Sequence, residues 1–123
     1  MIIVQLPAHP DFPTVKRQVV VPRLDGINYE EKTASIVIRV EHLNPDGSLH
    51  PYLGAKTDFM VSSNAKQVDQ QGKLVETGSP GAIGEFDWLY AAIEAGTNLH
   101  TLIRGMIARN IERGNFNTGN YRN

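Results

Sequence analysis

The spacing of apolar residues changes once along the chain, and that change sets the fold class. Over residues 32–43 the side chains alternate. Ala34, Ile36, Ile38 and Val40 fall on one face of an extended segment, and Ser35, Val37, Arg39 and Glu41 on the other. Period-two alternation marks a strand with one buried face. From residue 86 onward the spacing is helical. Phe86, Leu89, Tyr90 and Ile93 stand at i, i+3, i+4 and i+7, an apolar stripe along one side of a helix. Leu99, Leu102, Ile103, Met106, Ile107 and Ile111 trace a second such stripe. Strands followed by helices imply an α+β domain. The expected architecture is an antiparallel sheet or small β-sandwich over residues 2–76, followed by two packed C-terminal helices over residues 85–113. A chain of 123 residues is long enough to bury one real core.

Turn and breaker residues subdivide this plan. Residues 14–24 are rich in β-branched side chains, with Val15, Val19 and Val21 on one face, and Pro22 suits an edge or a bulge. Asp25-Gly26 and Asn44-Pro45-Asp46-Gly47-Ser48 read as turns. A strand is expected over residues 56–68, with Phe59 and Val61 inward and Asp58 and Ser62 outward. Val68-Asp69-Gln70-Gln71-Gly72-Lys73-Leu74-Val75 reads as strand, tight turn, strand. Residues 76–84, with Gly78, Pro80, Gly81 and Gly84, read as loop. Glu85 and Asp87 fit the first turn of a helix, where the backbone dipole favours negative charge. Gly96 suits the residue after a helix and Thr97 the cap of the next, which Gly114 ends. Pro7, Pro10 and Pro13 make residues 1–13 an expected N-terminal arm laid over a surface. Residues 14–113 form the domain, and residues 114–123 an Asn/Gly-rich tail.

Composition removes several chemistries. There is no cysteine, so thiolate metal sites, disulfides and a cysteine nucleophile are excluded. The opening residues lack a positive region, so no signal peptide is expected, and no apolar run approaches a membrane span. His9, His42, His50 and His100 fall in no ligand spacing, although His9 and Asp11 would point the same way in an extended arm. No nucleophile elbow surrounds Ser62 or Ser63, and the loop at residues 78–84 lacks the Gly-Lys-Ser/Thr of a phosphate loop. The chain therefore reads as a non-enzyme, with no catalytic residue, metal or cofactor. Its formal net charge is −1, but the charge is uneven. Residues 100–123 carry Arg104, Arg109, Arg113 and Arg122 against Glu112, on an otherwise acidic body. Such polarity suits self-association or an acidic partner, or merely cations at a helix C-terminus. Trp88 falls beside the first stripe, where it either anchors an interface or packs on the sheet. Phe116 and Tyr121 are the aromatic residues of the tail. Trp88, Arg109, Arg113, Phe116 and Tyr121 are the candidate protein-interface residues.

The run Val68–Val75, a Gly/Pro loop and then Gly81-Ala82-Ile83-Gly84-Glu85-Phe86-Asp87-Trp88-Leu89 resembles small uncharacterised proteins of the structural gene modules of tailed bacteriophages and prophages. The resemblance covers residues 66–95 and brings no catalytic residues with it. It implies a structural subunit of a virion (tail, baseplate or head-associated), assembled in the host cytoplasm. Such a subunit would contact copies of itself and neighbouring virion proteins, with no membrane. Two other classes stay open. One is a DNA-binding regulator reading a groove with the 97–113 helix through Arg104, Arg109 and Arg113, which the acidic body disfavours. The other is a small ligand-binding domain with a pocket near residues 78–84.

Overall fold

The computed structural model describes residues 2–118 and has the α+β architecture. Four strands form the main antiparallel sheet: β1 (Ile2–Leu6), β2 (Lys16–Asn28), β3 (Thr33–Leu43) and β4 (Ala55–Ser63), in the spatial order of the chain. Three two-residue strands, β5 (Gln67–Val68), β6 (Leu74–Val75) and β7 (Ile83–Gly84), form a small second sheet with β5 in the middle. Helices α1 (Glu85–Glu94) and α2 (Leu99–Glu112) follow, with the short α3 (Asn115–Thr118) at the end. Among the described residues no helix is long and apolar enough to cross a membrane.

Alternation in β3 places Ala34, Ile36, Ile38 and Val40 on the face that the helices cover. Ile2, Leu6, Val19, Val21 and Met60 join them from neighbouring strands. Phe86 and Leu89 of α1 and Leu102, Ile103, Met106 and Ile107 of α2 close the core from above. The opposite face of the sheet carries a polar row in register. Gln5 donates to Gln18, Gln18 to Glu41, and Arg39 pairs with Glu41 at 2.9 Å.

Four local expectations need correction. Within the expected arm over residues 1–13, Ile2–Leu6 forms a full strand, β1, whose Ile2 and Leu6 are buried against β2. Asp25-Gly26 does not turn the chain. β2 absorbs it as an irregularity between Leu24 and Gly26, and a second one spans Pro22, so the hairpin turn falls at residues 29–32. There Asn28 Oδ1 accepts from the Glu31 N–H at 2.8 Å. The facing of β4 is reversed: Met60 and Ser62 point inward opposite Ile36 and Ala34, and Phe59 points outward. Asn98, not Thr97, caps α2, accepting from the N–H groups of His100 and Thr101. The tight turn over residues 69–73 forms as expected between β5 and β6.

The ends of the described chain meet at Arg17, which is 3% exposed. Its position alternates with Val19 and Val21, so the ladder itself points it into the core. Its guanidinium donates to the Pro7 carbonyl at 2.9 Å, the Phe116 carbonyl at 3.2 Å and Asn117 Oδ1 at 3.2 Å. Phe116 is buried in the same core. Replacing Phe116 by Ala should therefore lower unfolding free energy by about 3 kcal/mol, as expected for emptying a buried aromatic site. Urea denaturation measures it, and a loss under about 0.5 kcal/mol, the size of an ordinary surface substitution, would mean that α3 is not part of the cooperative unit.

Candidate functional site at the helix–sheet junction

Glu85 opens α1 and is 2% exposed. It stands four residues before Leu89, so the helix turns it toward the sheet beside the apolar stripe. Ser62 Oγ donates to its Oε1 at 2.9 Å. Arg109 Nε and Arg113 Nη2 donate to its Oε2 at 2.7 and 2.9 Å. One carboxylate thus joins β4, α1 and α2. Arg109 reaches it because positions 102, 106, 109 and 113 lie on one side of α2. Burial lowers the pKa of the Arg113 guanidinium, and the neighbouring Glu85 charge opposes that shift.

The start of α1 is braced twice more. The Glu85 N–H donates to the Lys66 carbonyl at 2.8 Å. Asn64 Oδ1 accepts from the Asp87 N–H at 3.0 Å, capping the helix from across the chain. Gly84 makes this possible, since a Cβ there would collide with the Asn64 side chain.

Trp88 sits beside the hub. Its Nε1 donates to the Gln70 carbonyl at 3.1 Å, and the Arg109 guanidinium carbon lies 5.4 Å from the ring centroid. Gly72 lies under the ring at φ +82°, where a Cβ would come within 2.6 Å of it. An open groove of about 430 Å³ runs past these groups, with Lys73, Thr101, Glu112 and Gln71 on its walls. This groove lies beside the 69–73 turn, not at the 78–84 loop where a pocket is expected from sequence.

Of the five candidate interface residues, Trp88, Arg109 and Arg113 come together here. The two arginines face Glu85 within their own chain, so they are not exposed anchors and not an array facing phosphates. Arg104, the third, is exposed and donates to the Ile3 carbonyl at 3.2 Å. Phe116 is a core residue rather than a surface plug. Tyr121 lies outside the described residues. Sequence reasoning placed Glu85 with Asp87 as a first-turn charge and missed its role. Its i, i+4 relation to Leu89 is the signal that pointed inward.

A second grouping lies at the other end of the sheet. His9 and His42 have ring centroids 5.9 Å apart, and Phe12 and His50 lie alongside, 6.2 Å apart. Among the described residues no set of three or more His, Asp or Glu is arranged to hold a metal ion. The rings are turned to the backbone instead. His9 Nδ1 accepts from the Asp11 N–H at 3.0 Å, and His50 Nδ1 from the N–H groups of Tyr52 and Leu53. His42 Nδ1 lies 3.1 Å from the Gly54 carbonyl. Burial lowers the His42 pKa from its ordinary 6.5. The Gly54 carbonyl raises it, and the charges of His9, Arg17 and His50 lower it further.

Replacing Glu85 by Gln should cost about 3 kcal/mol, because it leaves two partly buried guanidiniums facing a neutral group. Urea unfolding followed by the emission of Trp88, the single tryptophan, measures this. A change under about 0.5 kcal/mol, the size of an ordinary surface substitution, would show that the pair is dispensable. His42 holds fewer protons folded than unfolded, so its contribution is complete above about pH 6.5 and is lost as pH falls toward the lowered folded value. Melting temperature should fall across that window, and less so in His42→Gln; identical pH profiles for the two proteins would remove this role. No family model, no curated protein and no solved structure matches the chain.

Proposed function

We propose that this chain is a non-enzymatic structural subunit of a phage-like virion, working through contacts with copies of itself and with neighbouring virion proteins. The observation that carries the reading is an apolar strip on a small domain. Leu24, Ile27 and Leu99 are exposed around one apolar cleft, which continues inward to Ile36, Ile93 and Met106. Tyr29 and Tyr90 extend the strip, with rings 5.4 Å apart in an edge-to-face pair. Contiguous exposed apolar side chains of this kind mark contact surfaces. The irregularities in β2 aim them, because each bulge bends and twists the strand that carries Leu24 and Ile27. The resemblance of residues 66–95 to phage structural-module proteins supports the same reading.

Light scattering across concentration on the full chain tests it. The expected result is a mass that rises to a defined multiple of the 13.6 kDa chain. A monomer at every concentration would overturn the self-assembly part of the proposal.

A further inference from the structure

The two edges of the main sheet are finished differently. β1 lies beside α2, and Arg104 occupies the Ile3 carbonyl. β4 is the other terminal strand, and among the described residues no strand pairs with its outer side. Its second half runs under the start of α1, where Met60 and Ser62 are buried. Its first half, residues 55–59, is exposed except for the partly covered Asp58.

The direction of the unpaired backbone groups follows from one hydrogen bond. The Phe59 N–H is taken by Asp58 Oδ1 at 2.8 Å, so it points away from β3. Residues two apart share a direction along a strand. The N–H and carbonyl groups of Ala55, Thr57 and Phe59 therefore face the open edge.

Charge on this edge is self-complementary. Lys56 and Asp58 flank Thr57, their side chains on the core side of the sheet opposite Val40 and Ile38. They form a loose ion pair at 4.0 Å, with Lys56 well exposed. Two such edges laid antiparallel about Thr57 place each Lys56 opposite the other copy's Asp58. Thr57 then faces Thr57, and Ala55 faces Phe59.

We infer that residues 55–59 of β4 pair antiparallel with the same residues of a second copy of this chain, about a two-fold axis at Thr57. The inference rests on the assembly reading above and names one of its contacts. The outward-facing residues Ala55, Thr57 and Phe59 make the hydrogen-bonded pairs, and Lys56 with Asp58 makes the non-hydrogen-bonded ones, where side chains approach most closely. Asp58 releases its own Phe59 N–H to the partner strand, and its carboxylate turns to the partner's ammonium. The exposed Phe59 ring covers Ala55 of the other copy on the outer face of the sheet. The two sheets become one, with the helices of both copies on the same side.

A charge-swap experiment on the full chain tests this. Lys56→Glu alone places Glu opposite Asp, and Asp58→Lys alone places Lys opposite Lys. Each should weaken self-association about tenfold or more. An equimolar mixture of the two variants restores opposite charges at both positions, so it should associate where neither does alone. Circular dichroism and melting confirm that each variant is folded. Amide exchange of the unmodified chain gives an independent reading, with Thr57 and Phe59 slowing as concentration rises. If the chain associates but neither variant alters it, or the mixture fails to restore association, the edge pairing is wrong and the assembly reading stands. A chain that is monomeric throughout, with concentration-independent exchange at Thr57 and Phe59, overturns both.

Discussion

The buried Glu85 carboxylate is the interaction on which the arrangement of layers depends. Apolar packing alone would let α1 and α2 slide along the sheet, because dispersion and burial have little direction. A carboxylate bonded to Ser62 on β4, to Arg109 on α2 and to Arg113 at the C-terminal cap of α2 does have direction. It fixes the start of α1 over one residue of one strand and sets which turn of α2 faces it. Removing charges from water is costly, and it is offset only when the remaining lone pairs find donors. Here both carboxylate oxygens do. Trp88 adds an apolar lid over Arg109 and joins the small sheet to the same point through Gln70.

Arg17 acts in the same manner at the other side of the core. A strand position that alternation points inward carries a guanidinium, and the carbonyls of Pro7 and Phe116 answer it. Backbone groups released by the prolines and by the end of α3 thereby obtain a donor inside the fold. Together with the β1–β2 ladder and the buried Phe116 ring, this side chain ties residue 7 and residues 116–117 to the sheet, so the described parts of the segments that look like free arms in the sequence belong to the domain. The histidine end has a comparable logic on a smaller scale. His9 and His50 take the place of turn carbonyls in accepting from nearby N–H groups, and so shape the loops that carry them.

Periodicity made the architecture legible in the sequence. The stripe over Phe86, Leu89 and Ile93 and that over Leu102, Met106 and Ile107 mark the two helices, and alternation in residues 34–40 marks the central strand with its correct face. The facing of β4 was not legible. Phe59 and Val61 suggest one apolar face, but Met60 lies inward and Ser62 follows it, where it donates to Glu85. The site itself was hidden for a related reason. Charged residues on an apolar stripe read as solvated when each is considered alone. Only the fold brings Glu85 within reach of side chains 24 and 28 residues later. His9, His42 and His50 are 8 to 41 residues apart, and only the pairing of β3 and the course of residues 7–13 bring them together. The Asp25-Gly26 signal failed because a strand can absorb a turn dipeptide as a bulge when the hairpin closes further on.

Gly84 and Asn64 are sterically a single position. The space that a Cβ would take at residue 84 is filled by the Asn64 amide, which caps α1. Any side chain at 84 must displace that amide, and a change at 64 strands the helix N–H while leaving the space unfilled. Neither residue can drift alone without passing through a chain whose first helix is poorly anchored. The route by which this domain diverges therefore runs through paired change at two sites twenty residues apart, or leaves both as they are.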